Sequence, residues 1–206
     1  MPFFVAIYQQ AWPEHLSRLL TAIKSNFAAS RTAAPGRQTA RVFQRLNEPT
    51  TLLSVGEWDS QASYEAHQTS SAFRQTVAET GPPPTVEYLQ RLHLFERMNE
   101  RAVVFACVTI LAPIDHLSAV EEFLRGPAQL NMIATPGIVS RELYRGSTDR
   151  PTVRLLVVHG WRSISDLERF RRADAPQFEG ALRGWGATVE RFTGEIAAEF
   201  SRLERP

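Results

Sequence analysis

Four side chains that could bind or transform a small molecule follow one another along a short stretch that begins at Trp58. Tyr64, His67 and Arg74 lie six, nine and sixteen residues after this tryptophan. Spacings of three and seven residues place them on one stripe of a helix. An indole N–H and a phenol O–H can hydrogen-bond an oxygen of an aromatic molecule while both rings pack against it. The spacing predicts a pocket; the alternative is that the aromatics are core residues and that His67 and Arg74 face solvent.

Two segments of the sequence read alike at a distance of about one hundred residues. His15-Leu16-Ser17 recurs as His116-Leu117-Ser118, at an offset of 101 residues. Trp58 and Trp161 are 103 residues apart, which indicates a two-residue insertion between these points. Two copies are too few for a solenoid. The pattern therefore favours a small domain that occurs twice in the chain.

The first repeat is polar at positions where the second is apolar. The positions of Tyr64 and His67 hold Leu167 and Phe170 in the second repeat. A buried polar group without a partner costs about 1–3 kcal/mol, so polar groups on an inward stripe need water, a ligand or one another. We therefore expect the larger cavity in the first repeat, bordered by Trp58, Tyr64 and His67. In the second repeat, Leu167 and Phe170 should fill the equivalent space.

The second repeat has a polar residue of its own near its tryptophan. His159 precedes Trp161 by two residues, so both side chains point to one face of a strand. The first repeat has Gly56 in place of this histidine. A neutral histidine could act as a base or bind a cofactor, but a strand histidine is more often hydrogen-bonded within the protein or exposed. His159 and Trp161 join Ser54 and Phe73 as expected substrate-binding residues.

Both repeats predict the element order β-α-β-β-α-β. The first should have strands over 3–9, 38–46, 50–58 and 86–95 and helices over 14–29 and 61–79. The second should have strands over 102–111, 138–145 and 152–161, with helices after Asp115 and Ser163; the pattern of 187–200 leaves strand and helix open.

This order is that of the ferredoxin-like fold, an α+β class in which both helices cover one face of a four-stranded antiparallel sheet. The expected domains are residues 1–98 and 101–206. Since the other face of each sheet would be bare, we expect the two sheets to pack face to face as one pseudo-dimeric α/β barrel.

Composition excludes several classes of protein. The 206 residues carry 23 positive and 22 negative side chains, so nothing predicts a nucleic-acid-binding patch. With Cys107 as the single cysteine, neither an internal disulfide nor a cysteine-based metal site is expected, and the five histidines form no close ligand pair. The N-terminus has no secretory signal pattern, and the longest apolar run is too short to span a membrane. We expect a soluble cytoplasmic protein that binds neither membranes nor nucleic acid.

Around Trp58 the sequence resembles the antibiotic biosynthesis monooxygenase family of the dimeric α/β-barrel superfamily. The resemblance rests on Trp58-Asp59-Ser60, on Tyr64-Glu65-Ala66-His67 and on Ser70-Ser71-Ala72-Phe73. It covers 1–97 more fully than 101–200. Members include cofactor-free quinone-forming oxygenases, haem-degrading oxygenases and proteins without known activity. The tryptophan and tyrosine resemble those of the quinone-forming enzymes, whereas Ser54 stands where those enzymes have asparagine.

The resemblance implies a cofactor-independent monooxygenase that oxidises a phenolic or polycyclic aromatic substrate with O₂. Trp58 and Tyr64 would then hold the oxygen substituents, His67 would act as the base and Arg74 would stabilise charge. Haem-degrading relatives carry an axial histidine shortly after the phenylalanine of the second helix. Neither repeat has a histidine there, so no haem and no other cofactor is expected. The alternative is a non-catalytic small-molecule-binding or stress-related barrel protein, and a homodimer is possible in either case.

Overall fold

A computed structural model describes residues 2–29, 32 and 34–201, and these form two compact units. The first unit extends to Leu89 and resumes at Glu195, and the second unit is Gln90–Gly194. The end of the chain therefore belongs to the unit that the beginning of the chain forms. Apart from the strands Thr85–Glu96 and Thr188–Ser201, which are divided between the units, each unit contains the elements of one repeat.

The first unit contains an antiparallel sheet whose strands follow the hydrogen-bonded order β4-β1-β3-β2-β8. The strands are β1 (Phe3–Gln10), β2 (Arg37–Arg45), β3 (Thr51–Trp58), the first part of β4 (Thr85–Glu96) and the last part of β8 (Thr188–Ser201). The helices are α1 (Leu16–Ala28), α2 (Gln61–Thr69) and α3 (Ser71–Thr80), and a short 3-10 turn over Pro13–His15 precedes α1.

The second unit repeats this arrangement, with the strand order β8-β5-β7-β6-β4. Its own strands are β5 (Val104–Pro113), β6 (Ile138–Arg145) and β7 (Thr152–Trp161), which the first part of β8 and the last part of β4 extend. Its helices are α4 (Leu117–Arg125), α5 (Pro127–Ala134), α6 (Ile164–Ala173) and α7 (Ala175–Gly184). The α+β class and the repeated ferredoxin-like order are confirmed.

The helix predicted over 61–79 is interrupted at Ser70. Ser60 caps the start of α2, since its hydroxyl accepts a hydrogen bond from the Ser63 backbone N–H at 3.2 Å. Ser70 has extended backbone dihedrals and caps α3 in the same way, by accepting from the Phe73 N–H at 3.3 Å. A serine can continue a helix or restart one, and here it restarts one. The segment over 187–200, left open in the sequence, is strand β8.

Apolar side chains form clusters between the helices and the sheet in both units. In the second unit one cluster includes Val120, Leu143 and Leu155, and another packs Leu167 against Trp161. In the first unit Trp58 and Tyr64 belong to a cluster with Val5 and Ala34. None of the helices in the described part of the chain is long and apolar enough to cross a membrane.

Candidate functional site

The first unit contains a cavity of about 380 Å³ between its helices and its sheet. Strands β1, β2 and β3 and helices α1, α2 and α3 supply its walls. The corresponding cavity of the second unit has a volume of only about 80 Å³, and Leu167 and Phe170 line it. The expectation that the larger cavity lies in the first repeat is confirmed.

A second difference between the units also explains the two volumes. In the first unit Ala40 lies opposite Gly56 across the β2–β3 ladder, and both line the cavity. In the second unit Arg141 lies opposite His159 across the equivalent β6–β7 ladder. Gly56 and His159 each precede the tryptophan of their repeat by two residues, so the pairs are equivalent. Two small residues leave the first cavity open, and two large polar residues narrow the second.

Trp58 and Tyr64 form one aromatic corner of the larger cavity. Trp58 ends β3, and Tyr64 follows in the first turns of α2, with the ring centroids 5.5 Å apart and the rings nearly perpendicular. Gly36 allows the start of α2 to come this close, because an added Cβ would lie 2.3 Å from the Cβ of Ser63. A buried aromatic pair of this kind is rigid, so it presents fixed groups to whatever occupies the cavity.

The hydroxyl of Tyr64 is buried and has no hydrogen-bond partner within the described ranges 2–29 and 34–201. The residue is only 1% exposed. Burial, followed by the neighbouring Tyr88, raises the pKa of Tyr64 well above its usual value. The group is therefore a neutral phenol whose proton is available to an acceptor. Since buried hydroxyls almost always have partners, this one points to an oxygen of a bound molecule or to water.

A buried arginine and His67 form the polar side of the same cavity. Nη2 of Arg37 donates to Nε2 of His67 at 2.9 Å, and Nη1 donates to Oδ1 of Asn26 at 2.7 Å. A guanidinium only donates, so Nε2 must be the acceptor and the imidazole must be neutral with its proton on Nδ1. Burial lowers the pKa of Arg37 to about 10, so it still carries a charge at neutral pH. Its guanidinium also stacks on Trp58, with the Arg37 Cζ atom 5.0 Å from the centroid of the Trp58 ring.

These groups give the cavity a definite chemical preference. One cation and one phenol donor face a space with largely apolar and aromatic walls. None of the described residues that line it is acidic. Such a cavity suits an aromatic molecule that carries oxygen and that gains negative charge on it.

Five of the residues predicted from the sequence line this cavity, namely Ser54, Trp58, Tyr64, His67 and Phe73. Arg74 does not: it is exposed and lines a second, more open pocket of the first unit, which also borders Phe73. The helix break at Ser70 is the physical reason, because continuous helical spacing from Tyr64 to Arg74 does not hold across it.

The two predicted residues of the second unit lie apart from the larger cavity. His159 lines the small cavity, whereas Trp161 is fully buried in the core against Phe170.

Arg37 lines this cavity and was not among the residues predicted from the sequence. It begins β2, and its register partner is Trp58 on β3. The equivalent residue of the second repeat, 101 positions later, is Ile138, which pairs with Trp161 in the same way. The comparison between repeats that singled out Tyr64 could therefore have found Arg37 as well.

The histidine of this cavity is poorly placed to ligate iron. His67 is the histidine among the described lining residues, and its Nε2 atom accepts the hydrogen bond from Arg37. Coordination through Nε2 would require this bond to break. Within the described residues, no three His, Cys, Asp or Glu side chains come together as a metal site.

The burial of His159 leads to a prediction about acid stability. Burial, with the charge of Arg141 as the second cause, lowers the pKa of His159 to about 3. Unfolded chains protonate this histidine near pH 6.5, so the unfolded state binds more protons at lower pH. The contribution of His159 to the free energy of unfolding is therefore constant above pH 6.5 and decreases as the pH falls toward 3. In the plot of the free energy of unfolding against pH, measured by urea unfolding, we expect His159→Gln to reduce the slope between pH 3 and 6.5 by up to about 1.4 kcal/mol per pH unit. An unchanged slope would contradict a buried neutral histidine.

Part of the first repeat matches a known protein family. Residues 2–79 match the family model described as antibiotic biosynthesis monooxygenase. Among proteins with curated descriptions, none matches the sequence.

Solved structures resemble the chain over nearly its whole length. An anthrone oxidase-like protein has a TM-score of 0.76 at 15% identity, with 100% of this chain and 94% of that protein covered. A proposed monooxygenase of Fusobacterium nucleatum has a TM-score of 0.72 at 10% identity, with coverages of 98% and 94%. Another from Lactobacillus acidophilus has a TM-score of 0.71 at 10% identity, with coverages of 98% and 96%.

At these identities the structural likeness concerns the fold, and fold does not fix function. The family match is more specific, since it spans the residues that carry Trp58, Tyr64 and His67. Residues 2–79 of the first repeat therefore resemble the antibiotic biosynthesis monooxygenase family, and the second repeat has the same order of elements.

Proposed function

We propose that this protein is a cofactor-independent monooxygenase that oxidises a phenolic or polycyclic aromatic compound in the cavity of the first unit. The observation that carries the proposal is the meeting of a buried cation, Arg37, with the unpartnered phenol of Tyr64 in a cavity with aromatic walls. Both groups stabilise negative charge on an oxygen, which is what the substrate must develop before it reacts with O₂. The resemblance to an anthrone oxidase-like protein supports the same class of substrate.

The reaction balances without an external reductant. A ring methylene activated by a neighbouring carbonyl or phenol loses a proton, and the carbanion delocalises its charge onto that oxygen. One electron passes to O₂, and the two radicals couple to form a C–O bond. The resulting peroxide loses water, so R₂CH₂ and O₂ give R₂C=O and H₂O. The substrate supplies all the electrons, and the protein supplies orientation and charge stabilisation.

Arg37 and Tyr64 would bind the substrate oxyanion, while the Trp58 ring packs against the aromatic system. The Arg37–His67 hydrogen bond gives His67 a conditional role. While Arg37 donates to Nε2, His67 has no lone pair for a proton. When the substrate oxygen takes that donor instead, the Nε2 lone pair can accept the substrate proton. Substrate binding and activation of the base would then be one event.

The direct test is oxygen uptake by the purified full chain with anthrone and related phenols as substrates. We expect one O₂ consumed per quinone formed, no loss of rate with a chelator and no gain with added haem. Failure to accelerate any of these substrates above the buffer rate would contradict the proposal. A one-to-one haem complex with a sharp Soret band that His67→Ala removes would instead favour the haem-dependent branch of the family.

A further inference from the structure

The second unit contains a buried positive charge without a negative partner. Arg141 is 1% exposed, and its two Nη atoms donate to the Gln129 side-chain oxygen and to the Leu124 backbone carbonyl. Both acceptors are neutral. No carboxylate in the described part of the chain contacts this guanidinium. A buried charge is costly unless an opposite charge or a full set of hydrogen bonds compensates it.

One nitrogen of this guanidinium and one nitrogen of the neighbouring His159 have no hydrogen-bond partner among residues 34–201. These atoms, Nε of Arg141 and Nε2 of His159, are both buried. The residues face each other across the β6–β7 ladder, and both line the 80 Å³ cavity. His159 is 8% exposed. A neutral histidine can carry its proton on Nε2, so each of the two atoms offers a donor.

The surroundings of this cavity are positive as well. Three arginines and one glutamate are its charged lining residues, the others being apolar apart from His159. Glu179 is already paired with Arg191 and lies 3.4 Å from Arg183, and Arg171 donates to the hydroxyl of Thr193. The one carboxylate of the lining is therefore engaged away from Arg141.

We propose that the cavity of the second unit binds a small monovalent anion, a halide or a single carboxylate, between Nε of Arg141 and Nε2 of His159. The anion would neutralise the buried guanidinium and accept from both free donors. A water molecule could accept these hydrogen bonds, but it could not neutralise the charge. The volume holds a few water-sized groups. It is too small for the polycyclic aromatic molecule that we place in the first unit, so this is a separate site.

Thermal unfolding in different salts tests the site. At constant ionic strength, replacing sodium gluconate, whose anion is too large for the cavity, with chloride or formate should raise the Tm. A rise of about 2–4 °C is expected when the anion is about fivefold above its Kd. Arg141→Met should abolish this rise. Arg183→Met removes the same charge from an exposed position of the same unit and should leave the rise intact.

Equal Tm values in all three salts would overturn the proposal, as would an Arg141→Met variant that keeps the full rise. Anomalous scattering from crystals of the unmodified protein soaked in bromide gives an answer that does not depend on the variant folding. A bromide peak between Arg141 and His159 is the expected result. Bromide bound only at the surface, with this cavity empty, would overturn it.

Discussion

Replacing Tyr64 by phenylalanine should lower kcat/KM for oxygen uptake by about a hundredfold or more, the usual effect of removing one donor to a developing oxyanion. The ring and its packing on Trp58 stay in place. The lost hydroxyl has no partner in the described part of the chain, so no hydrogen bond within that part is broken. The free energy of unfolding should therefore change by less than about 1 kcal/mol. Steady-state oxygen electrode measurements and urea unfolding on the same preparation check both expectations.

Two variants serve as controls for this prediction. Tyr88→Phe removes the hydroxyl of the neighbouring tyrosine, whose ring lies 6.0 Å from that of Tyr64 but which is exposed, and activity should stay within a factor of about two. Leu167→Ala changes the residue equivalent to Tyr64 in the second unit and should instead destabilise the protein by about 2–5 kcal/mol. If Tyr64→Phe loses as much stability as Leu167→Ala, Tyr64 is a core residue and the proposed site is wrong.

Replacing Arg37 by methionine should have the largest effect on activity, a loss of about a thousandfold in kcat/KM. The change removes the one cation among the described lining residues and, with it, the hydrogen bond from Arg37 to the Nε2 atom of His67. Removing one group that stabilises the developing charge typically lowers the rate by a factor of about 100 to 1000. The remaining activity should depend on pH differently, because the histidine can now be protonated before substrate binds. Arg37→Lys keeps the charge without the two-pronged geometry and should recover part of the rate.

Arg74→Met is the matched control, because it removes the same charge from an exposed position of the same unit. Its activity should stay within a factor of about two of the unmodified protein. A large loss in Arg74→Met with little loss in Arg37→Met would return the charge-stabilising role to Arg74. A pH profile identical in Arg37→Met and the parent would contradict the proposed coupling between Arg37 and His67.

Local patterns in the sequence were enough to predict much of this site. The predicted strand that ends at Trp58 and the spacing of Tyr64 and His67 each depend on about ten residues of chain. Arg37 and Arg141 were not predicted, because their contacts depend on how the strands pair. Arg37 meets Trp58, and Arg141 meets His159, only because two strands lie in a particular register. Such register follows from the whole sheet, and no short window of sequence contains it.

Helix periodicity failed at one point for a related reason. The stripe from Tyr64 to Arg74 presupposes an unbroken helix. Whether Ser70 continues that helix or ends it depends on the free energy of its cap against that of one more helical turn, and these differ little. Strand β8 was left open because its sequence combines alternation with helix-forming residues, and only its partners β2 and β5 make it a strand.

The contrast between Ala40 with Gly56 and Arg141 with His159 also bears on how such a protein can evolve. In a homodimer, one gene encodes both subunits, so every substitution enters two sites at once. A duplicated chain escapes this constraint. One half can acquire small residues that leave room for a ligand, while the other half acquires two large side chains that narrow its cavity. Directed evolution of new oxidations could therefore vary residues 40 and 56 freely, with the second half kept constant as the scaffold.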